Sequence, residues 1–198
     1  NARRALSDGV VGEVALGWVD SDIAYGYDED WTFQGFHPFG YSSTDLYLRD
    51  VETRTADVRL LSVPEQGLLD GKVDWVLGLF VLNKEVDFTR DYTYAGGLFT
   101  SDFGVDRMAL YGELATNLAP SWRISLGLRA EQHESDYADS ADVQFAPDDD
   151  MTGGRLLVER TLASGNLLYA SLTRGYKAGG FNTDGSLDAD LRLFDPET

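Results

Sequence analysis

Three side chains that could contact a ligand occur at every second position of one stretch: Arg129, Glu131 and His133. Side chains two residues apart in an extended strand lie on the same face, so a strand here would bring all three together. Such a set could bind a ligand, or it could pair its charges along a water-filled wall. The sequence shows no nucleophile with a matching general base and no Gly-x-Ser-x-Gly motif, so an enzyme is not predicted.

Oxygen ligands for a metal ion are concentrated in two acidic stretches. Asp148, Asp149 and Asp150 are consecutive, and residues 182–190 read NTDGSLDAD. Loop carboxylates can bind calcium, but the regular spacing of an EF-hand loop is absent. Calcium held by the three aspartates and plain solvated charge therefore both stay open. His37 has no second histidine near it in sequence, which argues against a metal or haem ligand there.

The segment 169–182, YASLTRGYKAGGFN, contains three further candidates for ligand contact: Tyr169, Lys177 and Asn182. Its first half alternates polar with mainly apolar side chains, which indicates a strand that has water on one face and hydrocarbon on the other. Lys177 lies close to two glycines, but it lacks the residue order of a phosphate-binding loop and the helix that follows one. The segment is therefore predicted to be a strand that opens into a loop.

The same alternation recurs along the chain and predicts about seven strands. It is clearest in one stretch, where apolar side chains occupy every second position from Trp122 to Ala130 without a charge. The predicted strands cover residues 9–27, 52–63, 72–88, 105–118, 122–137, 152–162 and about 168–177.

The predicted connections alternate between long and short. The long ones cover residues 28–50, 89–104, 138–150 and the stretch after Lys177, and the short ones lie near Pro64, Pro120 and Gly165. Antiparallel strands joined in sequence place every second connection at the same end, so the long loops should all project from one rim. Outer-membrane barrels have this arrangement.

Aromatic side chains near both ends of the predicted strands suggest the girdles of a membrane barrel. Arg174 falls on the predicted lipid face, but close enough to the loop end to extend its charge to water. The predicted girdle residues are Tyr25, Tyr27, Trp31, Tyr137 and Tyr176 at the long-loop end and Trp122 at the short-turn end.

These motifs resemble those of a known family, the TonB-dependent outer-membrane receptors. Residues 169–182 are similar to its segment Tyr-x-Ser-x-(Ser/Thr)-(Lys/Arg)-Gly-x-Lys-x-Gly-Gly-Phe-Asn, and residues 194–198 to the Pro-Glu element that follows. Residues 58–62 with 75–80 are similar to its LRL and W-x-x-G-L-F hairpin, and residues 126–129 to its GLR strand. The matches are collinear and span most of the chain from about Val10 onward.

The resemblance implies an all-β fold, an antiparallel up-and-down transmembrane β-barrel of which residues 1–198 form a part. Barrels of this family close with about 22 strands, so the chain is expected to be an internal segment without the plug domain and the remaining strands. It also implies TonB-energised uptake of a scarce nutrient across the cell outer membrane, with TonB acting through the plug domain. The implied partners are outer-membrane lipid, lipopolysaccharide and a small-molecule ligand of the ferric siderophore, cobalamin, haem or saccharide class.

Composition excludes several other classes. The chain has 34 Asp and Glu against 16 Lys and Arg, a formal net charge of -18, which argues against nucleic acid as a partner. The same acidity weighs against an anionic ligand, and many ferric siderophores are anionic. The absence of cysteine excludes a disulfide scaffold and a thiolate metal site.

Two alternative functions stay open from the residues alone. A passive porin would share the barrel wall but not the collinear motifs. A secreted β-sandwich binding module would need no lipid face and would bury Leu126, Leu128 and Leu172 against a second sheet. A barrel wall would instead leave these three side chains pointing outward.

Overall fold

The computed structural model describes residues 1–33, 35–36, 38, 43–183, 188 and 191–198. No helix among these residues is long and apolar enough to cross a membrane. The elements along the chain are β1 (Ala2–Ser7), β2 (Val10–Asp28), β3 (Thr44–Ser62), α1 (Leu68–Gly71), β4 (Val73–Tyr92), β5 (Phe99–Ala119), β6 (Trp122–Asp139), β7 (Gln144–Phe145), β8 (Asp148–Thr161), β9 (Leu167–Arg174), β10 (Gly180–Phe181) and β11 (Leu193–Phe194).

The main sheet is an antiparallel meander in which neighbours in sequence are neighbours in space. Its order is β1-β2-β3-β4-β5-β6-β8-β9, with the short β7 paired to the end of β6, while β10 and β11 form a separate hairpin. This up-and-down topology without crossovers confirms the predicted fold class. The seven predicted strands correspond to β2 to β6, β8 and β9. The first strand, β1, was not predicted, because it is short and its ARRALS sequence shows no clear apolar face.

Burial alternates along the strands, most clearly in β6. Ser125, Glu131, His133, Ser135 and Tyr137 are buried, while the residues between them are half-buried or exposed. A single-layer sheet buries every second side chain when it curves, because side chains converge on the concave face. We call this face the inner face and the opposite one the outer face. About half of the buried side chains of the inner face are polar, unlike the core of a sandwich.

The outer face carries the apolar residues. Leu126 is 46% exposed, Leu128 is 64% exposed and Leu172 is 75% exposed, so none of them packs against a second sheet. The sandwich alternative is therefore wrong. A tilted strand needs about 9–11 residues to cross the hydrocarbon, and the outward-facing apolar run of β6, from Trp122 to Ala130, is close to that length. The register continues this apolar band across the neighbouring strands, as in the row Val14, Val58, Leu79, Leu110 and Ala130.

The strands continue beyond the apolar band at one end. The loop end carries the connections 29–43, 93–98 and 140–147, and the turn end carries 8–9, 63–72, 120–121 and 162–166. The predicted long loops 28–50, 89–104 and 138–150 were too long, because β3, β4, β5, β6 and β8 all extend into them. The ladder persists there although both faces mix apolar and polar side chains, and such a strand shows no clean alternation that could reveal it. Connection 93–98 is even shorter than turn 63–72.

Carboxylates dominate the outer face just above the apolar band. The register places several directly opposite one another, as in Asp50 and Asp87 or Glu134 and Asp148. Facing like charges on neighbouring strands are destabilising unless something offsets them. We call this set the acidic collar: Asp20, Asp22, Asp50, Glu52, Glu85, Asp87, Asp102, Asp106, Glu134, Asp136, Asp148 and Asp150.

The predicted girdle at the loop end is wrong for most of its tyrosines. Tyr25 stacks on Tyr47 of the inner face, with ring centroids 4.9 Å apart, and Tyr27 lies on the same face. Tyr137 is buried on the inner face. Tyr176 also turns inward, because β9 ends at Arg174 and the alternation stops there. Of the other predicted members, Trp31 is an exposed residue of connection 29–43, and Trp122 does lie on the outer face at the turn end.

Replacing Leu126 with Arg should test the lipid-facing assignment. In the full-length receptor refolded into bilayers, we expect Leu126→Arg to lower the free energy of unfolding by about 2–4 kcal/mol, because the charge would face hydrocarbon near mid-depth. Glu134→Arg lies on the same face of the same strand but in the collar, and it should change stability by less than about 1 kcal/mol. Urea titration measures both, and equal effects would contradict the position of the band.

Candidate functional site

A large cleft occupies the inner face towards the loop end. It has a volume of about 1400 Å³ and is lined by β2 to β6 on one side and by residues 177–181, 183, 192 and 194 on the other. The lining strands are those that extend beyond the apolar band, so the cleft lies at and above the predicted outer edge of the hydrocarbon. Its aromatic lining residues are Tyr47, Phe88, Phe99, Phe103, Tyr137, Phe181 and Phe194.

The charge of the cleft is opposite to that of the chain. Among its described lining residues, Asp139 is the one carboxylate. The lining cations are Arg49, Lys84, Arg90, Arg107, Lys177 and Arg192. A cleft lined by one sign of charge attracts ligands of the other sign, so this surface favours an anionic ligand.

The cations of the cleft differ in whether they already have partners within the protein. Arg90 forms a two-pronged ion pair with Asp45, with its Nη2 2.6 Å from one carboxylate oxygen and its Nε 2.8 Å from the other. Arg49 lies over the ring of Phe88, 5.4 Å from its centroid. Lys84 has no hydrogen-bond or ion-pair partner among the described residues. Lys84 and Arg49 are therefore the cations best placed to bind an anion without breaking an internal pair.

The lower edge of the cleft is formed by Arg107 and His133, which face each other across β5 and β6. Arg107 Nε donates to His133 Nδ1 at 2.8 Å, so the imidazole acts as an acceptor through that nitrogen. Asp149 of β8 lies opposite His133 on its other side. This arrangement holds the histidine between a cation and a carboxylate on the wall.

A polar cluster lies directly below the cleft. Arg129 donates to Glu131 Oε2 through Nε at 2.9 Å and through Nη2 at 2.7 Å. The Tyr176 hydroxyl donates to the same Glu131 oxygen at 3.0 Å and accepts from Arg129 Nε at 2.9 Å. The guanidinium of Arg129 also lies over Phe80 and Tyr111, 5.5 Å and 5.7 Å from their ring centroids. Glu131 is 8% exposed, and this cluster compensates its buried charge.

Two glycines make room for the tyrosines around this cluster. The ring of Tyr111 lies over Gly78, its partner across β4 and β5, and any side chain at Gly78 would collide with it. Gly153 similarly supports Tyr176, since a Cβ there would lie 2.8 Å from the ring. Glycine is needed at both positions because another part of the protein approaches the backbone closely.

The connection 29–43 at the loop end is stabilised by a carboxylate. Asp30 accepts hydrogen bonds from the Thr32 hydroxyl at 2.7 Å, from the Thr32 N–H at 2.9 Å and from the Ser43 N–H at 3.0 Å. These bonds, above all that of the Thr32 hydroxyl, hold the pKa of Asp30 below its usual range. The carboxylate therefore stays ionised, and its contribution is lost only as the pH falls through that lowered pKa.

The structure brings some of the predicted ligand contacts together and separates others. Arg129, Glu131 and His133 lie side by side on the inner face, and Lys177 lines the cleft, 3.6 Å from Glu197. The main-chain N–H of Asn182 donates to the Arg192 carbonyl at 2.7 Å.

Tyr169 lies on the inner face of β9 near the turn end, away from the cleft. Ligand contact by these residues stays a prediction. So does calcium binding by Asp148, Asp149 and Asp150, whose side chains alternate between the two faces of β8. Among the described residues, no three acidic or histidine side chains are arranged to hold a metal ion. His37 and most of the acidic stretch 184–190 lie outside the described residues.

Several residues of the cleft were not singled out in the sequence. Tyr47 and Arg49 were assigned to a loop, and Lys84 and Arg107 belong to strands whose polar face drew no attention. A signal was available for Lys84, because it continues the face of β4 opposite to Trp75, Leu77 and Leu79. No local sequence pattern could have predicted the pairing of Tyr176 with Glu131.

An antiparallel meander with an apolar outer band and a polar, cleft-bearing inner face is the wall of a membrane β-barrel. The family model described as "TonB dependent receptor-like, beta-barrel" matches residues 7–198. The chain therefore belongs to the TonB-dependent receptor β-barrel family. This membership confirms the resemblance seen in the motifs and confirms that the chain is not an enzyme.

Two solved structures have a fold similar to that of this chain. The ferric yersiniabactin uptake receptor FyuA from Yersinia pestis aligns with a TM-score of 0.73 at 16% identity, covering 98% of this chain and 29% of FyuA. The ferric preacinetobactin receptor BauA from Acinetobacter baumannii aligns with a TM-score of 0.65 at 16% identity, covering 98% of this chain and 32% of BauA. The chain thus spans about a third of these receptors. No curated protein matches the sequence.

Replacing Arg129 should measure how much this residue stabilises the buried charge of Glu131. We expect Arg129→Gln to lower the free energy of unfolding of the full-length receptor by about 1–3 kcal/mol, because the buried Glu131 loses its closer charged partner and keeps only Arg107, 4.0 Å away. Adding Glu131→Gln should recover part of that loss, since no charge then remains unpaired. Urea titrations of the two single variants and the double variant measure the coupling.

Arg155→Gln serves as the control for this cycle. Arg155 pairs with Glu113 at 3.3 Å, but both side chains are exposed, so the change should cost less than about 1 kcal/mol. Purely additive effects of Arg129→Gln and Glu131→Gln would contradict the proposed dependence.

Proposed function

We propose that this chain forms part of the wall and ligand-binding surface of a TonB-dependent receptor in a Gram-negative outer membrane, which takes up a scarce nutrient. The observation that carries this proposal is the cationic, aromatic cleft on the inner face of a wall that belongs to this family. Energy would come from the inner-membrane proton gradient through TonB and a plug domain. A protonophore should therefore abolish uptake by the full-length receptor in cells while leaving surface binding of the ligand intact.

The chemistry of the cleft supports an anionic ligand with aromatic groups. Arg49 and Lys84 supply positive charge, and Tyr47, Phe88 and Phe99 supply ring faces beside them. Ferric siderophores built from catecholate or phenolate groups combine these two properties, and FyuA and BauA, which share this fold, are receptors for ferric yersiniabactin and ferric preacinetobactin. Neutral saccharides would make little use of the cations. The acidic net charge is a poor guide here, because the carboxylates lie largely outside the cleft.

Neutralising the unpaired cations should weaken binding of such a ligand. We expect Lys84→Gln and Arg49→Gln each to raise the Kd of the full-length receptor for a ferric catecholate complex by about tenfold, the loss expected for one charge-assisted contact. Fluorescence quenching titrations measure the change. Lys72→Gln, at the turn end, should leave the Kd unchanged.

A panel of ligands would separate the classes. Ferric catecholate, ferric hydroxamate, cobalamin, haem and an oligosaccharide can be titrated against the same receptor preparation. Binding of an uncharged ligand with unchanged affinity in Lys84→Gln and Arg49→Gln would contradict the anionic class. Binding of no member of the panel by a folded receptor would contradict uptake of these nutrients altogether.

We also propose that the outer face contacts outer-membrane lipid and lipopolysaccharide. The apolar band suits the hydrocarbon, and the acidic collar lies just above it, at the height of the lipid headgroups. Lipopolysaccharide headgroups carry phosphates, so two anionic layers would face each other. Divalent cations between them would offset both this repulsion and the facing carboxylates of the collar. Arg54, which binds Glu52 at 2.6 Å, is the cation that interrupts the collar among the described strands.

The collar predicts a specific dependence on divalent ions. In vesicles that contain lipopolysaccharide, removal of Mg²⁺ with a chelator should lower the Tm of the full-length receptor, and Mg²⁺ should restore it. Replacing Asp50, Asp87 and Asp102 together with Asn should reduce this difference, because fewer carboxylates then need a counterion. Asp70→Asn at the turn end is the matched control. An equal Mg²⁺ effect in vesicles of phosphatidylcholine alone would contradict a role for lipopolysaccharide.

A further inference from the structure

Residues 175–181 form a strap that leaves the edge of the sheet and crosses the inner face. β9 ends at Arg174, and the chain then turns inward instead of continuing along the wall. The strap climbs from the level of Arg129 to the level of Tyr137. Its Lys177, Ala178, Gly179, Gly180 and Phe181 all line the cleft, opposite Arg49 and Lys84. A ligand in the cleft would therefore lie between the strap and the strands β3 and β4.

The lower end of the strap is anchored by Tyr176. Its ring rests over Gly153, and its hydroxyl exchanges hydrogen bonds with Glu131 and Arg129 at 3.0 Å and 2.9 Å. The hydroxyl thus joins a charged cluster that already satisfies itself through the direct bonds between Arg129 and Glu131. Loss of this anchor would leave Glu131 still paired, so it can break without exposing an unpaired buried charge.

The middle and upper parts of the strap have one polar and one aromatic attachment. The N–H of Gly179 donates to Asp149 Oδ2 at 2.8 Å. Phe181 packs against Tyr137 and Phe145 with centroid distances of 5.0 Å and 5.3 Å, and against Phe103 at 5.7 Å. All of these wall partners belong to β5, β6, β7 and β8.

The main chain of the strap pairs with the returning arm of its own hairpin. Lys177 and Glu197 exchange main-chain hydrogen bonds at 2.9 Å in both directions, and β10 pairs with β11. β10 and β11 form a sheet separate from the main one. The strap and the described part of its arm thus pair with each other, and Tyr176, Gly179 and Phe181 attach the strap to the wall. At the bend, Gly175 has nothing within 4 Å of where a Cβ would lie, so that position can turn without a clash.

We propose that the strap is a movable wall of the ligand cleft. In the docked position seen here it narrows the cleft, and release of Tyr176 and Gly179 from their partners widens it for larger ligands. This inference rests on the proposed function in that the cleft is taken to be the ligand site. The hydroxyl of Tyr176, the N–H of Gly179 and the ring of Phe181 suit such a device, because these few contacts can break without unfolding the sheet.

Cysteine labelling can measure the docking of the strap. The chain contains no cysteine, so Ala178→Cys places a single reporter within it, on the strap and half-buried in the cleft. The full-length receptor in outer-membrane vesicles, with any cysteines elsewhere replaced, is treated with a small maleimide. We expect Tyr176→Phe and Asp149→Ala each to raise the labelling rate about threefold to tenfold, as expected for the loss of one hydrogen bond from the docked state.

Two matched variants serve as controls. Tyr169→Phe removes a hydroxyl on the inner face of β9 that makes no hydrogen bond among the described residues. Asp150→Ala removes the carboxylate next to Asp149 in sequence, which points to the outer face. Both should leave labelling unchanged. Heat-modifiable gel migration shows which variants are folded, and only those are compared.

A second reporter tests whether the cleft widens. Val86→Cys places this reporter on the facing wall of the cleft. In the double variant Tyr176→Phe with Asp149→Ala, the labelling rate at position 86 should rise more for a bulky maleimide–polyethylene glycol than for the small maleimide. Labelling of Cys at position 178 that is unchanged in both anchor variants would overturn the proposal. So would faster labelling there without any gain for the bulky reagent at position 86. No ligand enters these measurements, so a failure of the proposed ligand class would be seen separately, in the binding titrations.

Discussion

The main-chain hydrogen bond is the constraint on which the whole molecule depends. In hydrocarbon no water can bond an N–H or a C=O group, so each of these groups must find its partner within the protein. The antiparallel ladder from β1 to β9 provides those partners and leaves only the side chains to meet the two solvents. Because side chains alternate, the outer face can be apolar while the inner face is mixed. A wall built in this way has only a small apolar core, which explains why Ser125, Glu131 and His133 are among its buried residues.

The two faces also separate the charges of the chain. The net charge of -18 describes the molecule as a whole, yet the described lining of the cleft contains six cations and one carboxylate. Many of the carboxylates lie on the outer face in the acidic collar, above the apolar band. Strand alternation is again the cause, because neighbouring residues of one strand project into different environments. Arg107 and Asp106 are adjacent in sequence, but one lines the cleft and the other belongs to the collar.

On the inner face the structure relies on clusters of polar and aromatic side chains to order its charged residues. Arg129 is held by a carboxylate, a hydroxyl and two aromatic rings, and Arg90 by Asp45 and the rings of Tyr47 and Tyr92. Such clusters keep long charged side chains ordered in a wet lumen, where a lone surface ion pair contributes little. They also give the cleft fixed walls on the side of the sheet, in contrast to the strap on the other side.

The sequence by itself determined the faces of the strands inside the apolar band, because hydrocarbon tolerates no charge at every second position from Trp122 to Ala130. It also determined the family, through motifs that lie in the same band or next to it. Beyond the band both faces are wet, and residues 44–51, 99–104 and 138–139 paired as strand although nothing in their pattern required it.

Only the tertiary structure decided which side chains meet. His133 finds Arg107 through the register of two strands, and Tyr176 reaches Glu131 because the chain reverses inward after Arg174. These partners are distant in sequence and share no period. Local alternation records the solvent that a residue faces, and it carries no information about the neighbour across the strand.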